Sequence, residues 1–82
     1  MHEVAVAGGI LDAVRVETAA RKPARAVKVG VRIGEMAGID PESLAFCFEA
    51  LVKGTELEPL ELEIERGSGD DLEFCYLELE PI

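Results

Sequence analysis

Apolar residues recur along the chain with two distinct periods. Ala7, Ile10, Leu11 and Val14 stand at i, i+3, i+4 and i+7, one stripe of a helix predicted from about Glu3 to Ala20, with Asp12, Arg15 and Glu17 on the opposite face. Gly8 and Gly9 fall inside it and each costs up to about 1 kcal/mol relative to alanine, so either close packing compensates or the first turn is loose. Arg21-Lys22-Pro23 ends this helix. Val27, Val29, Val31 and Ile33 then alternate with Lys28, Gly30 and Arg32, the period of a strand with one buried and one wet face. Gly34 and Gly38 bracket a loop. Asp40-Pro41-Glu42 follows as an N-cap, a proline at the first helical position and an acid near the positive helix end.

Leu44, Cys47, Phe48 and Leu51 repeat the helical spacing until Lys53 and Gly54 close the second helix. Leu60, Leu62 and Ile64 alternate with Glu61, Glu63 and Glu65, predicting a second strand whose acidic face can sit opposite Lys28 and Arg32. Residues 66–71 are a short turn, and Leu72 to Glu80 reads as a third strand whose alternation slips near Cys75 and Tyr76, as at a bulge. The order helix, strand, helix, strand, strand, with apolar faces sufficient for two layers, predicts an α+β fold: two helices packed on one face of a three-stranded mixed sheet. Residues 1–82 then form one small domain, without internal repeat or linker, and a chain of 82 residues leaves little room for a deep enzyme pocket.

Charge narrows the functional classes. Seventeen acidic against eight basic residues give a net charge of -9, which argues against a nucleic-acid surface and favours cations, basic protein patches or plain solubility. The apolar runs are far shorter than a bilayer span and Met1-His2-Glu3 does not open a signal peptide, so a cytoplasmic protein with no membrane association is expected. Cys47 and Cys75 make no CxxC motif, and the expectation is two buried thiols rather than a disulfide or a zinc ribbon.

The candidate chemistry lies at the start of the chain. Met1-His2-Glu3 combines an amine, backbone nitrogens that can lose a proton, and an imidazole within one short stretch. Nitrogen-rich square-planar sites select Ni(II) or Cu(II), whereas zinc prefers a tetrahedron. Three such residues recur by chance, and alone they also read as an ordinary exposed terminus. No nucleophile and base pair presents itself, since His2 is the single histidine and neither cysteine has a visible partner, so an enzyme is not expected. Glu35 reads as a solvated loop carboxylate, and the row Glu61, Glu63, Glu65 as the wet face of its strand. Phe46 and Phe48 project in different directions on the second helix, so at least one can lie off the apolar stripe and be open to a partner; the favoured reading has Phe48 in the core and Phe46 flanking it.

Met1-His2-Glu3, then Ile10-Leu11, then the strand Val27 to Ile33 running into Gly34-Glu35-Met36-Ala37-Gly38-Ile39-Asp40-Pro41-Glu42-Ser43-Leu44, resembles the HypA/HybF family. The likeness continues through Phe46, Phe48-Glu49, Gly54-Thr55, Leu57-Glu58 and Leu60 to Glu65, and resumes at Leu77 to Glu80. The resemblance implies a nickel metallochaperone that carries Ni(II) as cargo to the large-subunit precursor of [NiFe]-hydrogenase, sometimes to urease, in partnership with a HypB-like GTPase. It also implies that Met1, His2 and Glu3 form the metal site, with the His2 ring and the backbone nitrogens of the second and third residues taking part.

One departure is large. Family members carry a zinc-binding segment with two CxxC motifs between the second and third strands, where this chain has only Arg66 to Asp71, so no zinc is expected. Gly67-Ser68-Gly69 has the composition of a natural short turn and equally of an engineered splice. With no second histidine, the fourth nickel ligand falls to the Met1 amine, water or a partner. The alternative is an adaptor or oligomerising module on the same fold that handles no metal.

Overall fold

Five elements follow one another in the computed structural model, which describes residues 2–82: α1 (Glu3–Ala19), β1 (Ala24–Gly34), α2 (Pro41–Val52), β2 (Glu61–Gly67) and β3 (Leu72–Pro81). The sheet order is β2-β1-β3, with β1 parallel to β2 and antiparallel to β3. Both helices cover one face, as the two-layer pattern requires. α1 buries Ala7, Ile10, Leu11 and Val14, the four positions its spacing selects. No helix among the described residues is long and apolar enough to cross a membrane.

α2 begins as its cap predicts: the Asp40 carboxylate accepts from the Glu42 amide, and Pro41 needs no acceptor for its nitrogen. Its buried row is Leu44, Phe48 and Val52, while Leu51 is exposed and Cys47 half-buried. Every fourth residue forms the ridge a helix presents to its neighbours, and that ridge carries Val52 inward and Leu51 out. Gly54, at φ 79°, then takes the left-handed turn after the helix.

β1 is the middle of the molecule. Val29, Val31 and Ile33 are fully buried with Ala26, but Val27 is only half-buried, because β1 carries an extra residue between its pairings Ala26 to Leu79 and Lys28 to Glu78. That bulge shifts the inward position from Val27 to Ala26. A second irregularity lies where the alternation of β3 slips: Gly30 pairs with Tyr76 and Val31 with Phe74, leaving Cys75 as the extra residue. The bulge on an edge strand also explains why Cys75 is exposed. With Cys47 half-buried and both thiols free, the expectation of two buried cysteines is corrected.

The outer face of the sheet is polar throughout its centre. Lys28 lies 3.5 Å from the Glu63 carboxylate, realising the expected pairing, whereas Arg32 turns to Glu73 on β3 and Arg25 to Glu80. Between them Tyr76 lies over Gly30 and donates its hydroxyl to Glu63 across the middle strand at 2.6 Å, so one side chain ties β3 to β2. A Cβ on Gly30 would occupy the space of that ring.

The link from β2 to β3 passes over the C-terminal end of β1. Gly34 N–H donates to Asp71 O (2.8 Å), Glu35 N–H to Gly67 O (2.8 Å) and Met36 N–H to Gly69 O (2.9 Å). A Cβ on Gly34 would run into the Gly69 carbonyl, which is main chain and has nowhere to swing. By contrast a Cβ on Gly8 or Gly9 meets nothing within 4 Å, so close packing does not explain the helix glycines.

These three situations order a set of substitutions. Gly34→Ala should destabilise by about 1–3 kcal/mol through a backbone clash. Gly30→Ala should cost about 1 kcal/mol as the Tyr76 ring is displaced and its hydrogen bond lost. Gly9→Ala should stabilise by about 0.5–1 kcal/mol. Urea unfolding followed by circular dichroism reads all three, and a Gly34→Ala variant as stable as Gly9→Ala would contradict the passage of the link over β1.

Candidate metal centre at the amino terminus

His2 precedes α1 in an extended conformation (φ -86°, ψ 102°) and is exposed. Its carbonyl accepts from the amides of Ala5 (3.0 Å) and Val6 (3.2 Å), which are the donors that close the first turn. The amides of His2 and Glu3 come before that turn, so neither is spent on an intrahelical bond. Engaging those two nitrogens would break no helical hydrogen bond, only the contact of the Glu3 amide with its own carboxylate. The positive end of the helix dipole also favours the deprotonated form of such groups.

Glu3 anchors this end. Its carboxylate accepts from the Asp40 amide at 3.1 Å, and that contact, followed by one to its own amide, holds the Glu3 carboxyl below the usual carboxylate range. Asp40 in turn caps α2: its side chain accepts from Glu42 N–H at 3.1 Å and from the Ser43 hydroxyl at 3.0 Å. One residue thus joins the starts of both helices, and Glu3, Asp40, Glu42, Ser43, Phe46 and Cys47 line a shallow groove between them.

Of the residues singled out in the sequence, Met1 lies outside the described residues, His2 is exposed and Glu3 is half-buried at the first helical position. Glu35 is exposed, and what it contributes is its backbone bond to Gly67. The Glu61, Glu63, Glu65 row faces outward beside β1. Glu63 is engaged by the Tyr76 hydroxyl and then by Lys28, which lower its pKa, and the same bond pushes Tyr76 up to about 12. No three His, Cys, Asp or Glu side chains converge on a metal-sized position among the described residues. Asp40 was legible only as a helix cap. Its hold on Glu3 is made by a main-chain N–H 37 residues away, which leaves no mark in a sequence.

Comparison with known proteins places these features in a family context. The family model described as hydrogenase/urease nickel incorporation, metallochaperone, hypA matches residues 1–71. The hydrogenase maturation factor HypA of Chlorobium limicola is 46% identical over 65 residues, covering 79% of this chain and 56% of that protein. The HypA of Methanopyrus kandleri is 44% identical over 69 residues, covering 82% of this chain and 49% of that protein. The chain spans about half the length of these relatives. The solution structure of the Ni metallochaperone HypA from Helicobacter pylori superposes with a TM-score of 0.74 over 93% of this chain and 72% of that one, at 17% identity, a likeness of fold.

The Glu3 contact carries a pH signature. A carboxyl whose folded pKa is depressed stabilises the fold above its unfolded pKa and ceases to do so as pH falls through the folded value. Glu3→Gln, which keeps the shape and removes the charge, should therefore melt slightly below the unaltered protein at pH 7. The gap should close as the pH falls from the unfolded carboxylate range through the depressed folded value, below which the carboxyl is protonated in both states. Melting curves between pH 7 and pH 3 measure it; a gap that widens in acid would show that the Asp40 amide does not hold the carboxylate.

Proposed function

The chain belongs to the HypA family of hydrogenase and urease nickel-incorporation metallochaperones, and on that footing we propose that it binds Ni(II) at Met1-His2-Glu3 and hands the ion on during maturation of [NiFe]-hydrogenase. The observation that carries the reading is the extended, exposed His2 placed immediately before a helix whose first hydrogen-bonded amides are those of Ala5 and Val6. The imidazole and the backbone nitrogens of His2 and Glu3 supply donors, and the Met1 amine, water or a partner group completes the set. Glu3 and Asp40 keep the start of the helix fixed, so that binding orders only the few atoms ahead of it.

Delivery requires partners. A HypB-like GTPase and the hydrogenase large-subunit precursor are the proposed ones, which places the protein in the cytoplasm as a carrier rather than a catalyst. In this reading the turn at 66–71, which crosses the end of β1, marks the position at which the family's zinc-binding segment is inserted.

A titration of the untagged chain with Ni(II), followed by absorption in the d-d region, tests the site. One equivalent should bind, and both His2→Ala and a variant with an extra residue before Met1 should lose it while melting as the parent does. Affinity should fall as pH drops, because amine, imidazole and amides must each release a proton to bind. Stoichiometric binding that survives in both variants would move the site elsewhere, and no binding by the parent would leave the fold as an adaptor without a metal.

A further inference from the structure

α2 turns its two aromatic rings in different directions. Phe48 is 2% exposed, at the centre of the core, whereas Phe46 is 76% exposed. A solitary apolar side chain on a surface is ordinary. The setting of Phe46 is not: it lines the groove that also holds Glu3, Asp40, Glu42, Ser43 and Cys47, next to the carboxylate that fixes the start of α1. Three of these six residues are acids and none is basic. Glu42 makes no ion pair among the described residues, and the Ser43 hydroxyl is already committed to Asp40.

We propose that this face, with Phe46 at its centre and Glu3, Asp40 and Glu42 around it, is the docking surface for the protein with which nickel is exchanged. The matching surface on that partner is an apolar socket for the ring, bordered by lysine and arginine. The choice of partner rests on the nickel reading; the surface and its chemistry rest on the groove. Three features of the molecule select a basic protein as occupant. An aromatic side chain surrounded by polar groups that exclude water is the arrangement in which a few residues carry most of a binding energy. The acidic border and the net charge of -9 attract a basic face and speed its approach. Position supplies the third: a stable interface covers roughly 800 Å² on each side, so one centred on Phe46 extends over Glu3 to His2 and brings donor atoms of the partner within reach of an ion held there. Because the starts of both helices are tied through Asp40, the ring and the terminus are presented together.

The chain contains no tryptophan, so Phe46→Trp installs a single fluorescent reporter that preserves an aromatic ring. The probe is the purified HypB-like GTPase. Its addition should shift the emission of the introduced indole to the blue, with a Kd within a few-fold of the parent's measured by calorimetry. Phe46→Ala should weaken binding at least tenfold, Glu42→Lys should weaken it as well, and the parent's Kd should rise with salt. Melting curves establish that the variants are folded. Phe46→Ala should still bind one equivalent of Ni(II), whereas His2→Ala should lose the ion yet retain the GTPase, so the two proposals fail separately. The docking surface is overturned if Phe46→Ala binds the GTPase like the parent, if the Phe46→Trp variant keeps the emission of an exposed indole in the complex, or if the parent does not bind the GTPase at all.

Discussion

Val29, Val31 and Ile33 must be covered on one side by two helices while their strand is hydrogen-bonded on both edges, and the rest of the fold is arranged around that demand. Burying such a side chain completely contributes about 1.5–3 kcal/mol, and in a chain this short few rows are available to supply it. α1 meets the demand with Ala7, Ile10, Leu11 and Val14, and α2 with Leu44, Phe48 and Val52. Since β1 is the middle strand, a slip of one residue would turn its valines to water and place Lys28 and Arg32 under the helices. The exposed ion pairs of the outer face contribute little energy each. Their value lies in agreeing with that register, since Lys28, Arg25 and Arg32 each meet a carboxylate of a neighbouring strand.

The same strand fixes what surrounds the start of α1. At its C-terminal end β1 runs under the β2 to β3 link, and the segment that leaves it, from Glu35 to Asp40, is hydrogen-bonded first to that link and then to Glu3. Two helix starts, the link and the amino terminus are thus connected through a short stretch of main chain. Each helix start brings amides without intrahelical acceptors and a partial positive charge. The carboxylates of Glu3 and Asp40 answer these, one by accepting from the other's amide and the other by capping α2. The terminus therefore leaves a fixed platform. A group bound there would order only the few atoms ahead of the helix.

Much of this was written in the sequence. The stripe of α1, the Asp40-Pro41 start of α2, the acidic alternation of β2 and the slip at Cys75 are all local patterns, and local patterns follow from the geometry of a single helix or strand whatever surrounds it. The resemblance carried by Met1-His2-Glu3 and by the Gly34 to Leu44 stretch likewise pointed to the family that matches residues 1–71. Other expectations yielded to neighbours. Val27 and Leu51 had the right spacing for the core, but a bulge and the direction of a helix ridge gave their places to Ala26 and Val52. Cys75 was apolar enough to be counted as buried, but it falls on the outer strand where the chain carries its extra residue.

By itself, then, the sequence determined the elements, most of their buried positions and the two-layer architecture, because each depends on residues within a turn or a strand of one another. Only the tertiary structure decided that β1 lies between β2 and β3, that Tyr76 crosses Gly30 to reach Glu63, that Gly34 lies beneath the Gly69 carbonyl, and that the Asp40 amide holds Glu3. These contacts join residues from different elements, and the last two involve backbone groups that nearly every residue carries. A periodic pattern can say which face of an element avoids water, but the neighbour that meets a given N–H or C=O is set by the packing of the whole chain.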